Sequence, residues 1–186
     1  SSQNPTSSLV TVKCFPWIRN NSFALIGDAA HAIVPFFGQG MNAGFEDCIV
    51  LNDLITKNNE NWSLILPQFE ELRKPDADAI ADLALNNFIE MRDKVADAQF
   101  LLQKKIEGKF SVKHPDKWIP AYSMVTFCPQ IRYSEALEKV SKQQTIMDEI
   151  MALPNIENIW DSIEIENLIP LILFIPNCIF QLLIRK

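Results

Sequence analysis

One acidic residue followed by three glycines has the residue types and spacing of a cofactor-binding segment. Asp28 comes just after the apolar run Phe23–Ile26, and Gly38, Gly40 and Gly44 follow it. Such an apolar run predicts a buried strand, so we expect Asp28 at the carboxyl end of a strand, where α/β sheets bind ligands. A carboxylate in that position can accept a hydrogen bond from a sugar hydroxyl.

A helical pattern of apolar residues begins near Met41, directly after Gly38 and Gly40. Glycines allow the backbone to approach a ligand closely and to adopt positive φ angles. The N-terminus of the helix that follows presents unpaired N–H groups and the positive end of the helix dipole to a ligand. A carboxylate followed by such a helix N-terminus suits a flavin nucleotide.

The segment Gly27-Asp28-Ala29-Ala30-His31 resembles the second flavin-binding motif of the aromatic-ring flavoprotein monooxygenases. Its continuation to Cys48 is similar to the members of that family that hydroxylate L-kynurenine. Three later blocks carry the same similarity: residues 86–92, 119–127 and 132–136. The resemblance runs from about Ser8 to about Val140, and it implies FAD as cofactor, NADPH and O₂ as co-substrates and L-kynurenine as the substrate that is hydroxylated to 3-hydroxykynurenine.

The resemblance also implies which residues bind the cofactor. Asp28 would accept a hydrogen bond from the ribityl chain of FAD, and His31 would be structural rather than catalytic. Gly38, Gly40, Met41 and Asn42 would line the flavin ring. The backbone of Met41 and Asn42 would meet its pyrimidine edge. No side chain is expected to be catalytic, because the flavin carries the chemistry.

Three apolar residues precede the flavin loop: Pro35, Phe36 and Phe37. By the resemblance they would form a wall against the aromatic substrate, since the loop would face the reactive edge of the flavin. A role in the hydrophobic core is the alternative, because apolar runs are usually buried.

Asn87 and Tyr122 align with family residues that hydrogen-bond the amino-acid carboxylate of the substrate. Asn87 lies in a helical pattern, where asparagine is mildly unfavourable, which indicates a polar role. The neighbouring Asn86 could hold that role instead, and Tyr122 could be an amphipathic packing residue.

The elements that position these residues are two short strands followed by helices. We predict strands at 9–12 and 23–26 and helices at 41–56, 64–72, 75–108 and 134–152, with Pro75 at a helix start and Gly108 at a helix end. The predicted fold class is α/β, or α+β for this chain by itself. The predicted divisions are 1–56 for the end of the FAD-binding domain, with its flavin loop Gly27–Asn42, 57–152 for a helical substrate-side region and 153–186 for an apolar tail.

One element of a complete dinucleotide fold is not found in the sequence. The 186 residues include five glycines and no Gly-x-Gly-x-x-Gly turn of the kind that holds the ADP part of FAD. The polar start from Ser1 to Ser8 has no apolar core of a signal peptide. We therefore expect the C-terminal portion of a larger enzyme, without its N-terminal FAD-binding part and not competent by itself.

Composition excludes several other classes of function. A net charge of −6 and the lack of a basic, aromatic-interleaved patch argue against nucleic-acid binding. Four scattered cysteines and two histidines show no metal-ligand spacing, so no metal site is predicted.

The tail from Leu168 to Ile184 is strongly apolar but is interrupted by Pro170 and Pro176. It could be a lid helix or a membrane anchor, since a membrane span needs about 20 apolar residues. By the resemblance, a bacterial member would be cytoplasmic and a mitochondrial one would be anchored in the outer membrane. The alternatives to kynurenine hydroxylation are another FAD-dependent aromatic-ring hydroxylase, and a non-catalytic, membrane-associated helical module.

Overall fold

A computed structural model describes residues 8–163, which divide into two compact units. Among the described residues, the first unit ends at Phe88 and the second begins at Ile89. This division by packing does not test the predicted division by function at residues 56 and 152, which stays a prediction.

The two strands of the first unit form a short antiparallel hairpin. Strand β1 (Ile18–Arg19) pairs with β2 (Phe23–Ala24), and Asn20 and Asn21 turn the chain with φ of 52° each. The prediction of a buried strand over 23–26 is wrong, because no other described strand extends the hairpin and Phe23 remains 72% exposed. The predicted strand over 9–12 is also absent; there Val12 donates a single backbone hydrogen bond to Ala32 (2.7 Å).

Two helices follow the hairpin. Helix α1 is a single turn, Asp28–His31, and α2 spans Gly40–Lys57. The predicted helix over 41–56 is thus confirmed to within one residue at each end, because the glycine-containing loop ends where the apolar period begins. Helix α2 buries Ala43, Asp47 and Leu54.

Helix α3 runs without interruption from Trp62 to Ile89 and passes through Pro67 and Pro75. The prediction of separate helices at 64–72 and from 75 onward is wrong here. Each proline removes one N–H donor, but both rings lie on the exposed side of the helix. Phe69 and Ala77, on either side of Pro75, pack into one core, which favours a continuous helix.

The core of the first unit lies between the hairpin, α2 and α3. Its buried members are Trp17, Ala30, Leu54, Ile65, Phe69 and Ala77. The indole N–H of Trp17 donates to the carbonyl of Cys14 at 2.9 Å, so the largest core side chain is also satisfied as a donor. This core fixes α1 and α2 against α3.

The second unit is helical. A π-helical turn, Glu90–Lys94, precedes α4 (Ala98–Lys113), so the predicted helix over 75–108 is broken near residue 95 and Gly108 lies inside α4. Helix α5 (Ala121–Phe127) occupies the proline-containing segment, and α6 (Tyr133–Met151) confirms the helix predicted over 134–152. A short helix α7 (Ile156–Ile159) and a 3₁₀ turn (Trp160–Ser162) follow.

The core of the second unit joins α4, α6 and α7 through buried residues: Ile106, Phe110, Trp118, Ile146, Met147, Ile150 and Ile156. Phe110 and Trp118 meet edge to face with ring centroids 5.4 Å apart. These contacts bury the apolar faces that the helical period predicts.

The predicted lid or anchor at 168–184 lies outside the described residues. Among the helices over 8–163, none is long and apolar enough to cross a membrane. In the same residues, no group of three or more His, Cys, Asp or Glu side chains is arranged so that it could hold a metal ion.

Candidate functional site

The Gly27-Asp28 turn connects the hairpin to α1, whose first residue is Asp28. Gly27 has φ 60° and ψ −142°, a conformation open to glycine, and its carbonyl accepts hydrogen bonds from the N–H groups of Ala30 (2.8 Å) and His31 (2.9 Å). Asp28 is exposed, and its carboxylate makes no hydrogen bond or ion pair within the described part of the chain. The turn therefore presents an unused acceptor at the surface.

The buried side chain of Asp47 forms hydrogen bonds with both ends of this turn. The carboxylate is fully buried on α2, and its Oδ2 accepts the N–H of Gly27 (3.0 Å) and faces Nε2 of His31 (2.6 Å). An ionised carboxylate only accepts, so this geometry requires the proton of the imidazole on Nε2. His31 is buried too, and its ring packs on that of Trp17 at 5.4 Å. The position agrees with a structural histidine.

Arg73 of α3 completes the cluster. Its Nε donates to Oδ1 of Asp47 (2.7 Å), and Nη2 donates to the carbonyl of Ala43 (3.2 Å). Nη1 donates to Glu46 (3.0 Å) and Asp76 (3.3 Å). The planar guanidinium thus distributes its donors among three carboxylates and a backbone carbonyl, which suits the fork geometry of arginine.

The surroundings move the pKa values of two carboxyl groups in this cluster in opposite directions. Burial raises the pKa of Asp47, but the hydrogen bonds from His31, Arg73 and Gly27 outweigh it and hold that pKa below its usual range. Burial, with help from the nearby carboxylates, raises the pKa of Glu46 despite the opposing effect of Arg73. Asp47 is therefore the ionised centre of the cluster.

The predicted flavin loop leads into α2. Gly38 adopts φ +67° and donates to the carbonyl of Pro35 (3.2 Å), so this position needs a residue that tolerates the left-handed region. The side chain of Asn42 donates to that of Gln39 (2.8 Å). The first turn of α2, which contains Gly40, Met41 and Asn42, has no acidic residue. It therefore leaves the positive end of the helix dipole uncompensated.

The three apolar residues before this loop have different surroundings. Pro35 is exposed, Phe36 stacks on Phe88 with centroids 4.5 Å apart, and Phe37 is buried with 7% exposure. Asn87 donates its side-chain amide to the carbonyl of Phe36 at 2.7 Å. The structure thus brings Asn87 to the apolar segment 35–37, as a substrate-side grouping would require.

Tyr122 lies in the second unit, on α5. It is 54% exposed, and its ring meets that of Phe127 edge to face at 6.1 Å. Its exposed position differs from that of an ordinary core tyrosine. The other predicted site residues all lie in the first unit.

Asp47, Arg73 and Asp76 were missed as site residues in the sequence. One signal was available for Asp47: it occupies the same helical face as Ala43, Val50 and Leu54, where an unpaired charge would be costly. A carboxylate on an apolar stripe indicates a buried partner. The identity of that partner depends on how α2 and α3 pack, which the pattern of a single helix does not determine.

The Asp28 turn, the start of α2 and the cluster around Asp47 all lie within a segment that matches a known protein family. Residues 13–84 match the family described as FAD binding domain. It is similar to the kynurenine 3-monooxygenase of Flavobacterium johnsoniae, with 59% identity over 165 residues, which cover 89% of this chain and 37% of that protein. The resemblance inferred from the sequence motifs is thereby confirmed.

Two further relatives have the same name. The kynurenine 3-monooxygenase of Christiangramia forsetii is 53% identical over 88% of this chain and 36% of its own length. That of Sus scrofa is 46% identical over 77% of this chain and 30% of its own length. The chain thus spans little more than a third, at most, of the length of these curated relatives.

Proposed function

We propose that the chain is part of an FAD-dependent monooxygenase that hydroxylates L-kynurenine to 3-hydroxykynurenine with NADPH and O₂. One observation carries the proposal. Within residues 13–84, which match the FAD binding domain family, Asp28 is exposed and its carboxylate has no partner among residues 8–163. It precedes a helix N-terminus without a first-turn acid. The complete enzyme would combine this chain with the further polypeptide that its longer relatives contain.

The described residues fit FAD as the cofactor. Asp28 is exposed, so its carboxylate can accept a hydrogen bond from a hydroxyl of the ribityl chain. An added Cβ at Gly38 would meet nothing within 4 Å, so the surface at the loop is open to a ligand. Both features favour close approach of a planar, hydroxyl-bearing cofactor.

The start of α2 would stabilise the flavin ring electrostatically. The backbone of Met41 and Asn42, after Gly38 and Gly40, would face the pyrimidine edge, where negative charge develops on reduction. The hydrogen bond between Asn42 and Gln39 holds this first turn in shape. When bound, the flavin supplies the redox chemistry that takes electrons from NADPH and inserts one oxygen atom of O₂ into the substrate.

The segment 35–37 and Asn87 would form one side of the substrate site. Pro35 is exposed and Phe36 half-buried, so both can contact an aromatic ring, whereas the buried Phe37 would support them from the core. Asn87 donates one of its two amide hydrogens to the Phe36 carbonyl. The second hydrogen can donate to a substrate carboxylate.

Tyr122 would also serve the substrate carboxylate. More than half of its surface is accessible, and a phenol hydroxyl is a good donor to an anion. Orientation of the amino-acid chain decides which ring carbon reacts, so such donors determine regioselectivity as well as affinity.

The proposal is tested by turnover of the complete enzyme. We expect NADPH oxidation to depend on L-kynurenine and to yield a product heavier by one oxygen atom. Hydroxylation of a different aromatic acid, with no response to kynurenine, would overturn the substrate and favour another aromatic-ring hydroxylase. Failure to bind FAD would overturn the whole proposal.

A further inference from the structure

The carboxylate of Asp47 is fully buried on the helical face that also buries Ala43 and Leu54. Removing a charge from water costs free energy unless the charge is paired and hydrogen-bonded. The carboxylate accepts hydrogen bonds from three donors: the N–H of Gly27, Nε2 of His31 and Nε of Arg73. Two of the three donors lie on either side of Asp28 in the sequence. The buried charge is thus directed at the turn that presents Asp28.

The turn has little stability of its own. Helix α1 has four residues, and an isolated helical turn is unfavourable in water because nucleation fixes several dihedrals for one hydrogen bond. On the downstream side, Ala30 accepts the thiol of Cys14 (3.1 Å), and Ala32 accepts the N–H of Val12. On the upstream side, the N–H of Gly27 has Asp47 as its acceptor.

Asp47 in turn is oriented by Arg73. The carboxylate presents Oδ2 to Gly27 and His31, and its Oδ1 accepts a hydrogen bond from Nε of the guanidinium. Arg73 is itself fixed by Glu46, Asp76 and the carbonyl of Ala43. A single side-chain orientation is therefore imposed on Asp47 from both oxygens.

We propose that Asp47, oriented by Arg73, is a positioning residue for FAD: it holds Gly27 and His31 so that the exposed Asp28 carboxylate points at the ribityl chain. This inference rests on the proposed function and assigns to it a residue that does not touch the cofactor. FAD affinity would then depend in part on the buried contact between Asp47 of α2 and Arg73 of α3.

The test uses the complete enzyme and measures FAD affinity by flavin fluorescence at a temperature well below unfolding. We expect Asp47→Asn to raise the FAD Kd about tenfold. The asparagine amide replaces one carboxylate oxygen with an NH₂ group, so at least one of the three donors around position 47 loses its acceptor. Asp53→Asn is the matched control: it makes the same chemical change at an exposed position of the same helix and should leave the Kd unchanged.

A double-mutant cycle separates positioning from a general loss of stability. If Asp47 acts through Asp28, then Asp47→Asn should change the Kd less than twofold in an Asp28→Ala background. A full tenfold effect in that background would overturn the inference, and so would an unchanged Kd in the single Asp47→Asn variant. If Asp28→Ala alone leaves the Kd unchanged, the proposed role of Asp28 fails, which is a distinct outcome that overturns this inference as well.

Arg73→Lys provides a second variant in case Asp47→Asn does not fold. Lysine keeps the charge but lacks the planar fork, so it can satisfy Asp47 or Glu46 but does not reproduce both contacts. We expect a Kd raised about threefold that again depends on Asp28. A folded Arg73→Lys protein with the wild-type FAD Kd would overturn the inference.

Discussion

The side-chain amide of Asn87 donates to the backbone carbonyl of Phe36 across 51 positions of sequence, at 2.7 Å. This bond ties the last turn of α3 to the segment that leads into the flavin loop. It also fixes the rotamer of Asn87, so the remaining amide hydrogen has a defined direction. One side chain thereby combines a structural contact with the donor that the proposed substrate site requires.

Replacing Asn87 by alanine should therefore affect both substrate affinity and stability. We expect the kynurenine Kd to rise several-fold and the free energy of unfolding to fall by about 1 kcal/mol, the usual value of one hydrogen bond. Titration calorimetry and urea unfolding measure the two effects. Asn86→Ala, at the exposed neighbouring position, is the control, and a larger loss of affinity there than in Asn87→Ala would assign the role to Asn86.

Asp28→Ala should weaken FAD binding without weakening the fold. The lost acceptor is worth about 1.5–3 kcal/mol toward the cofactor, which corresponds to a Kd raised roughly tenfold or more. The apo-protein should keep its unfolding temperature, because the carboxylate has no partner within the described residues. An unaltered FAD Kd, with Asp53→Ala as the exposed reference on α2, would remove Asp28 from the site.

Two glycine substitutions should change stability in opposite directions. Gly38→Ala forces a β-carbon into φ +67° and should cost about 1–2 kcal/mol. Gly108→Ala, inside α4 with no atom within 4 Å of the added carbon, should stabilise by about 0.5–1 kcal/mol. Thermal unfolding of both variants checks the signs, and a neutral Gly38→Ala would contradict the conformation of the loop.

The cluster around Asp47 predicts a specific response to pH. The pKa of Asp47 lies below its ordinary 3.8, so its contribution to stability is present above that value and is lost as pH falls toward and through the lower folded pKa. His31 and Arg73 contact Asp47, and Glu46 and Asp76 contact the same guanidinium of Arg73. The pKa of Glu46 is raised, so the stability gained from its neutral form is present below 4.5 and is lost as pH rises through the folded value.

Urea unfolding between pH 3 and 7 measures both contributions. Relative to Asp47→Asn, the wild type should lose stability as pH falls below about 4. Relative to Glu46→Gln, it should lose stability as pH rises above about 4.5. Parallel profiles for the wild type and both variants would show that neither carboxyl group is perturbed.

Tyr122→Phe should separate substrate recognition from cofactor binding. Removing the hydroxyl deletes one donor to the substrate carboxylate, so the kynurenine KM should rise several-fold. FAD content should not change, and the edge-to-face contact with Phe127 is preserved by phenylalanine. If the variant keeps the wild-type KM for kynurenine, Tyr122 is a packing residue and does not bind the substrate.

Local rules predicted the elements that depend on local sequence. The start of α2 follows from Gly38 and the apolar period after it, and α6 follows from its own amphipathic pattern. The same rules failed at Pro75, because they treat proline as a helix start while the core on either side keeps α3 continuous. The pairing of Asp47 with Arg73 joins residues 26 positions apart and depends on how two helices dock.

Helix α3 has a further consequence because both Arg73 and Asn87 belong to it. These residues are 14 positions apart, about 21 Å along a helix axis, and they hold Asp47 and Phe36 in the loop-and-helix segment before α3. Neither contact can form until α3 has docked, so residues 27–47 should acquire amide-exchange protection together with α3 and lose it together. We therefore expect the proposed cofactor-binding segment and α3 to unfold as a single cooperative unit, whose opening would expose both ends of the proposed site at once.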